Sequence, residues 1–156
     1  MAVYTDFFVA SPDEAAALDV AAGPVGLPTL RSRGVEYVKL SILDSILTGV
    51  PDRFPEEIAE DAGQESWEAA LAEPLAAALA SLTPEEVRSV SRQWSQTDEL
   101  RMDRWTDEDT SQFLNGLREL ASRARSERKR LYLWVSLSAP AYDRYAPPAQ
   151  GGPAIG

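Results

Sequence analysis

Apolar and polar residues alternate with period two at the start of the chain. In "VYTDFFVA", residues 3–10, Val3, Thr5, Phe7 and Val9 share one face while Tyr4, Asp6 and Phe8 share the other. Its β-branched and aromatic content predicts a strand. A second apolar run, "LYLWVSL" at 131–137, is apolar on both faces, as a central strand is. Between them the spacing turns helical. Val38, Ile42 and Ile46, with neighbours Leu43 and Leu47, predict a helix from Glu36 to Thr48 stopped by Gly49, with a strand over Val35–Leu40 as the alternative. Shorter helices are expected over Pro12–Val20, Trp67–Ala72 and Pro74–Ser81. Val87, Val90 and Trp94 line one face of a helix opening at Pro84, and Phe113, Leu117, Leu120 and Ala124 form the stripe of a long helix reaching Arg125.

Helix starts carry a recurrent vocabulary. "SPDE" and "TPEE" each place a Ser or Thr three residues before a Glu, the spacing of a capping box, and Thr106 is expected to cap the long helix. With Glu56 and Glu57 read the same way, four helix starts take up Asp13, Glu14, Glu56, Glu57, Glu85, Glu86, Asp107, Glu108 and Asp109. In a first turn these carboxylates face unpaired N–H groups and the positive end of the dipole, so they read as structural punctuation. "AAGPVGLP" and residues 50–66 read as turns, and "SQTDELRMDRWTDED" as an irregular polar loop.

These elements predict an α+β fold, a small mixed or antiparallel sheet packed against several helices. Its length of 156 residues suits a single domain over 1–138, followed by a Pro/Gly-rich tail over 139–156 of disorder-like composition.

Composition then narrows the chemistry. Cysteine and histidine are both absent, which excludes disulfides, thiolate and conventional zinc sites, and Ser-His-Asp or Cys-His nucleophile systems. No Gly-rich phosphate motif is present, and no cofactor is expected. The formal charge is −10 and uneven: residues 1–87 hold 16 acids against 4 bases, residues 88–156 hold 9 against 11. Such a chain repels phosphate backbones, so nucleic acid is not an expected partner. The basic run "RARSERKR" reads as a helix end that offsets the dipole and the acidic half. With no long apolar run and no basic leader before "MAVYTDFF", the expectation is a cytoplasmic protein without membrane contact; oligomeric state is left open.

Two sets of residues are candidates for function. Between positions 52 and 73 lie eight acids and one base, Arg53. The first candidate is a docking surface for a basic protein partner, made by Glu56, Glu57, Glu60, Asp61, Glu65 and Glu68, with Trp105 as an aromatic anchor. The competing structural readings are a solvated acidic face and a tryptophan packed beside its helix start. The second candidate is a carboxylate-based, glycosidase-like hydrolase using Asp6 and Asp44, whose carboxyls must then share a cleft within about 5–10 Å. A half-buried Asp6 between aromatics could hold a raised pKa, against the plainer reading of an arginine-paired sheet aspartate.

The order of an aromatic strand, "SPDEAAAL", a helix ending "ILTG", "SLTPEEV", and a long helix running into a final apolar strand resembles the YfbM-like proteins over residues 1–137. That resemblance implies a bacterial α+β protein of a group with no assigned activity. The group often carries tryptophan and histidines ahead of its "LTG"; here the corresponding positions are Leu40, Ser41 and Asp44. The combined expectation is a non-enzymatic binding or regulatory protein, with the hydrolase as the alternative.

Overall fold

A computed structural model describes residues 3–137. Five strands, β1 (Tyr4–Ala10), β2 (Thr29–Arg33), β3 (Glu56–Glu60), β4 (Ser66–Ala70) and β5 (Arg130–Ser136), form one antiparallel sheet in the order β2-β1-β5-β4-β3. Six helices accompany it: α1 (Pro12–Ala16), α2 (Tyr37–Thr48), α3 (Glu73–Ala80), α4 (Pro84–Ser95), α5 (Asp98–Met102) and α6 (Asp107–Ser126). The fold is α+β, as the sequence pattern predicts. Residues 139–156, expected to form a tail, lie outside the described residues.

Strand alternation decides which side chains meet the helices. Thr5, Phe7 and Val9 of β1, with Leu131, Leu133 and Val135 of β5, are buried on the face that carries α6 and the helices packed around it. Phe113 of α6 is the hub: its ring lies 5.6 Å from Phe7, 6.1 Å from Trp94 and 5.8 Å from Trp105. Burying a large apolar side chain of this kind contributes about 1.5–3 kcal/mol.

The opposite face has a smaller apolar cluster. Phe8 stacks on Tyr132 at 5.6 Å, and α1 with the chain after it covers them and Trp134. Trp134 donates its indole N–H to the Val20 carbonyl at 2.6 Å. Gly23 lies flat against the same ring; its φ is +86°, and an added Cβ would stand 3.1 Å from the indole. Both facts require glycine at 23.

The two predicted capping boxes are present, at Ser11/Glu14 and Thr83/Glu86, and the expected Thr106 cap proves to be a third box, closed by Asp109. Gly49 ends α2 in the left-handed region at φ 79°, and the strand alternative over Val35–Leu40 gives way to helix. Other expectations need correction. Residues 67–70 belong to β4 rather than a helix, and Glu56 and Glu57 lie in β3 rather than a first turn. The reason is tertiary: β4 buries Ala69 against the helical face and pairs with β5, so a run of good helix formers is held extended. β2 and α5 were not expected, and α1 stops at Ala16, where Asp19 organises a turn by accepting from the Ala21 N–H.

Candidate functional site

The acidic segment forms the β3–β4 hairpin. Asp61 sets its turn: one carboxylate oxygen accepts from Glu65 N at 2.8 Å and Ser66 N at 2.9 Å. The Ser66 hydrogen bond is the largest cause holding the Asp61 carboxyl below its usual range, with those from Glu65 and Gly63 adding to it. Glu60 accepts from the Trp67 indole N–H at 3.2 Å. Asp61 and Glu60 therefore do local structural work, while the Glu56 and Glu57 side chains project from an exposed strand.

β3 is an outer strand of the sheet, and among the described residues β4 is its one strand neighbour. A bulge between Glu57 and Ala59 interrupts that pairing. The edge carries exposed apolar groups as well as acids: Phe54 is 49 % and Ile58 44 % exposed. Arg53, the one base between 52 and 73, does not neutralise this edge. It turns inward onto Asp44 in a two-pronged pair, Nε to Oδ2 at 2.7 Å and Nη2 to Oδ1 at 2.8 Å. Glu57 also lies near Tyr37, whose hydroxyl is buried and pushed up to about 12, first by burial and then by the Glu57 charge.

The inward acids are dispersed. Asp44 also accepts from the Thr48 hydroxyl at 2.7 Å. Burial alone would raise its carboxyl, but the hydrogen bonds from Arg53 and Thr48 and the Arg53 charge outweigh burial and hold it low. Asp6, fully buried, points to the other side of the sheet and lies 3.9 Å from the Arg31 guanidinium. Asp44 belongs to α2 on the helical side, so the sheet separates the two acids nominated as a pair. That pairing is corrected: they do not share a cleft.

Asp6 instead shares its face with Glu68, a residue assigned to the docking surface on sequence grounds. Both stand opposite Trp134, from β1 and β4 respectively, so two strand spacings, about 10 Å, separate their backbones. Glu68 is 1 % exposed, and its Oε2 has no hydrogen-bond partner. Burial pushes its carboxyl up to about 7. The docking reading of Glu68 is thereby corrected, because its side chain is interior and presents no carboxylate to a partner at the surface. Trp134 occupies the row between the two acids.

Trp105 is likewise not an exposed anchor. It is 5 % exposed and packs edge-on against Phe113. Among the described residues, no three His, Cys, Asp or Glu side chains are grouped to hold a metal ion, and no helix is long and apolar enough to cross a membrane.

The edge apolar residues Phe54 and Ile58 were not singled out from the sequence. A signal was available: "EEIAEDAGQESWEAA" places a Gly-containing turn between two short runs, the pattern of a hairpin with a longer loop. No protein-family model matches this chain, and no match to it is found among curated proteins or solved structures.

Proposed function

We propose that this is a non-enzymatic binding or regulatory protein of the cytoplasm, which docks a basic, extended segment of a protein partner along β3. The observation that carries this reading is the outer edge of β3, which among the described residues pairs with β4 alone, where Glu56 and Glu57 stand beside exposed Phe54 and Ile58 while Arg53 is drawn away to Asp44. An edge strand offers main-chain N–H and C=O groups for strand addition, and side chains at alternate positions give such docking its specificity. Charges and a bulge also blunt an edge against self-association. Here they disfavour a second copy of the same acidic strand and favour a cationic one. Membership of the YfbM-like group, which the motif resemblance implies, carries no assigned activity and is retained as part of this proposal. A hydrolase built on Asp6 and Asp44 loses its geometric support, because the sheet lies between them.

Calorimetric titration with a short peptide alternating lysine and valine tests the reading. Binding is expected at low salt and should weaken as salt rises; alternate N-methylation of the peptide amides should abolish it. The combined substitution Glu56→Lys and Glu57→Lys should weaken it about tenfold or more. Unchanged affinity in either the N-methylated peptide or the charge-reversed protein overturns the proposal.

A further inference from the structure

Glu68 stands at the middle of β4, one strand in from the sheet edge, with its side chain almost wholly buried. Its Oε2 has no hydrogen-bond partner. An ionised carboxylate without partners is strongly disfavoured in such surroundings. The charged and titratable groups around it offer no relief. From β5, Tyr132 shares its face, but Arg130 lies over that ring, 5.9 Å from its centre. The Tyr132 hydroxyl is raised by burial, lowered by Arg130 and raised again by the charges of Glu68 and Glu73. From β1, Asp6 is a second acid, with Arg31 beside it. From β3, Glu56 follows on the same face, opposite Ala70. In the segment over Phe8, Tyr132 and Trp134, Asp13 lies in a first turn, Glu14 pairs with Lys129, and Asp19 accepts from the Ala21 N–H. Among the described residues, none of these cations pairs with Glu68.

The wall toward β3 is the weak one. The residue opposite Glu68 on that strand is Ala59, which presents only a methyl group. Four of the five residues of β3 are exposed, and the bulge between Glu57 and Ala59 breaks the ladder beside this position. On the other side, β4 pairs with β5 without interruption from Ser66 to Ala70. A short strand with few buried contacts and a broken ladder is the element that opens locally at least cost. Neighbouring strands lie about 4.8 Å apart, within the reach of a glutamate side chain. Once β3 leaves, the Glu68 carboxylate can turn into the vacated place and meet water.

We infer that Glu68 is a proton-controlled latch on the β3–β4 hairpin: the protonated acid lets β3 close beside it, and loss of that proton to water releases β3 while the rest of the sheet keeps its order. The sign follows from the two environments. In the open form the carboxyl titrates at its ordinary 4.5, and in the closed form burial moves it up to about 7. Below 4.5 both forms hold the proton and pH changes nothing. As pH rises toward 7 the open form loses its proton first, and opening increases; above about 7 the closed form ionises as well and the effect levels off. The released strand is the one proposed above for docking, but the latch needs no partner.

Amide hydrogen exchange of the full chain between pH 5 and pH 8, corrected for the intrinsic rate at each pH, tests it. The reporters are the amides that join β3 to β4 and the Asp61 N–H, bonded to the Ser66 carbonyl at 3.0 Å. Their opening constant should rise ~70-fold over this range, most of it below pH 7. Glu68→Gln should remove the rise and keep protection at its acidic level throughout. Local opening of residues 17–27, over Trp134, should not follow pH in this way. Carbon-13 titration of the Glu68 carboxyl in the native chain is a second reading, expected near neutral pH. Hairpin opening that ignores pH, an equal rise in the Gln variant, a rise confined to residues 17–27, or a carboxyl that titrates at its ordinary value would each overturn the latch.

Discussion

The Glu68 carboxyl is buried on the sheet face away from the large helices, beside Trp134 and near Tyr132, with Oε2 unpartnered. Burial raises its pKa from the usual 4.5 to about 7. Below 4.5 the group is neutral in both folded and unfolded chains and costs nothing. As pH rises from there through about 7, the unfolded chain releases its proton first, and stability falls. Glu68→Gln, which mimics the neutral acid, should therefore raise stability by on the order of 2 kcal/mol at about pH 8 and make no difference below pH 4.5. Urea denaturation of both proteins across this pH range measures it; an effect that persists unchanged at acidic pH contradicts the assignment. Asp44 has the opposite sign. Its carboxyl is held below its usual 3.8, so the stability it contributes is present above that value and is lost as pH falls through the lowered one.

At the scale of the elements, three helices begin with reciprocal side-chain and backbone hydrogen bonds. In α4, Thr83 Oγ accepts from Glu86 N at 3.2 Å, and the Glu86 carboxylate accepts from Thr83 N at 2.9 Å. Thr83→Ala should cost about 1 kcal/mol, read as a lower denaturation midpoint at unchanged slope; a neutral result would mean that the buried contacts of Val87 and Trp94 alone set this helix end. These boxes were legible because their residues are contiguous and their chemistry is local. The β3–β4 hairpin was not. Glu, Ala and Trp in "SWEAALAE" satisfy helix propensity, and pairing of β4 with β5 on one side and β3 on the other holds them extended. β2 was missed for a related reason: "TLRSR" has one apolar residue, Leu30, and becomes a strand by bonding to the edge of β1.

For the whole molecule, charge is the dominant asymmetry. Among the described residues no base pairs with the acids of β3, because Arg53 faces Asp44, while Lys129, just after α6, pairs with the distant Glu14. With a net charge of −10, self-repulsion opposes compaction. The thermal midpoint should rise as ionic strength increases from low to physiological values, because screening weakens repulsion among exposed acids more than it weakens the partly buried pair of Asp44. A midpoint that falls with salt would mean that attractive surface pairs dominate.

The sequence by itself determined the α+β class, the places of β1 and β5 to within one residue at each end, the three capped helix starts and the absence of histidine and cysteine chemistry. Each rests on residue type or on spacing within a few positions, where sterics and local hydrogen bonds act alone. Only the tertiary structure decided that Asp6 and Asp44 lie on opposite sides of a sheet, and that Trp105 and Glu68 are interior. Those facts depend on which face of each element is covered, and that is set by contacts between residues far apart in the chain.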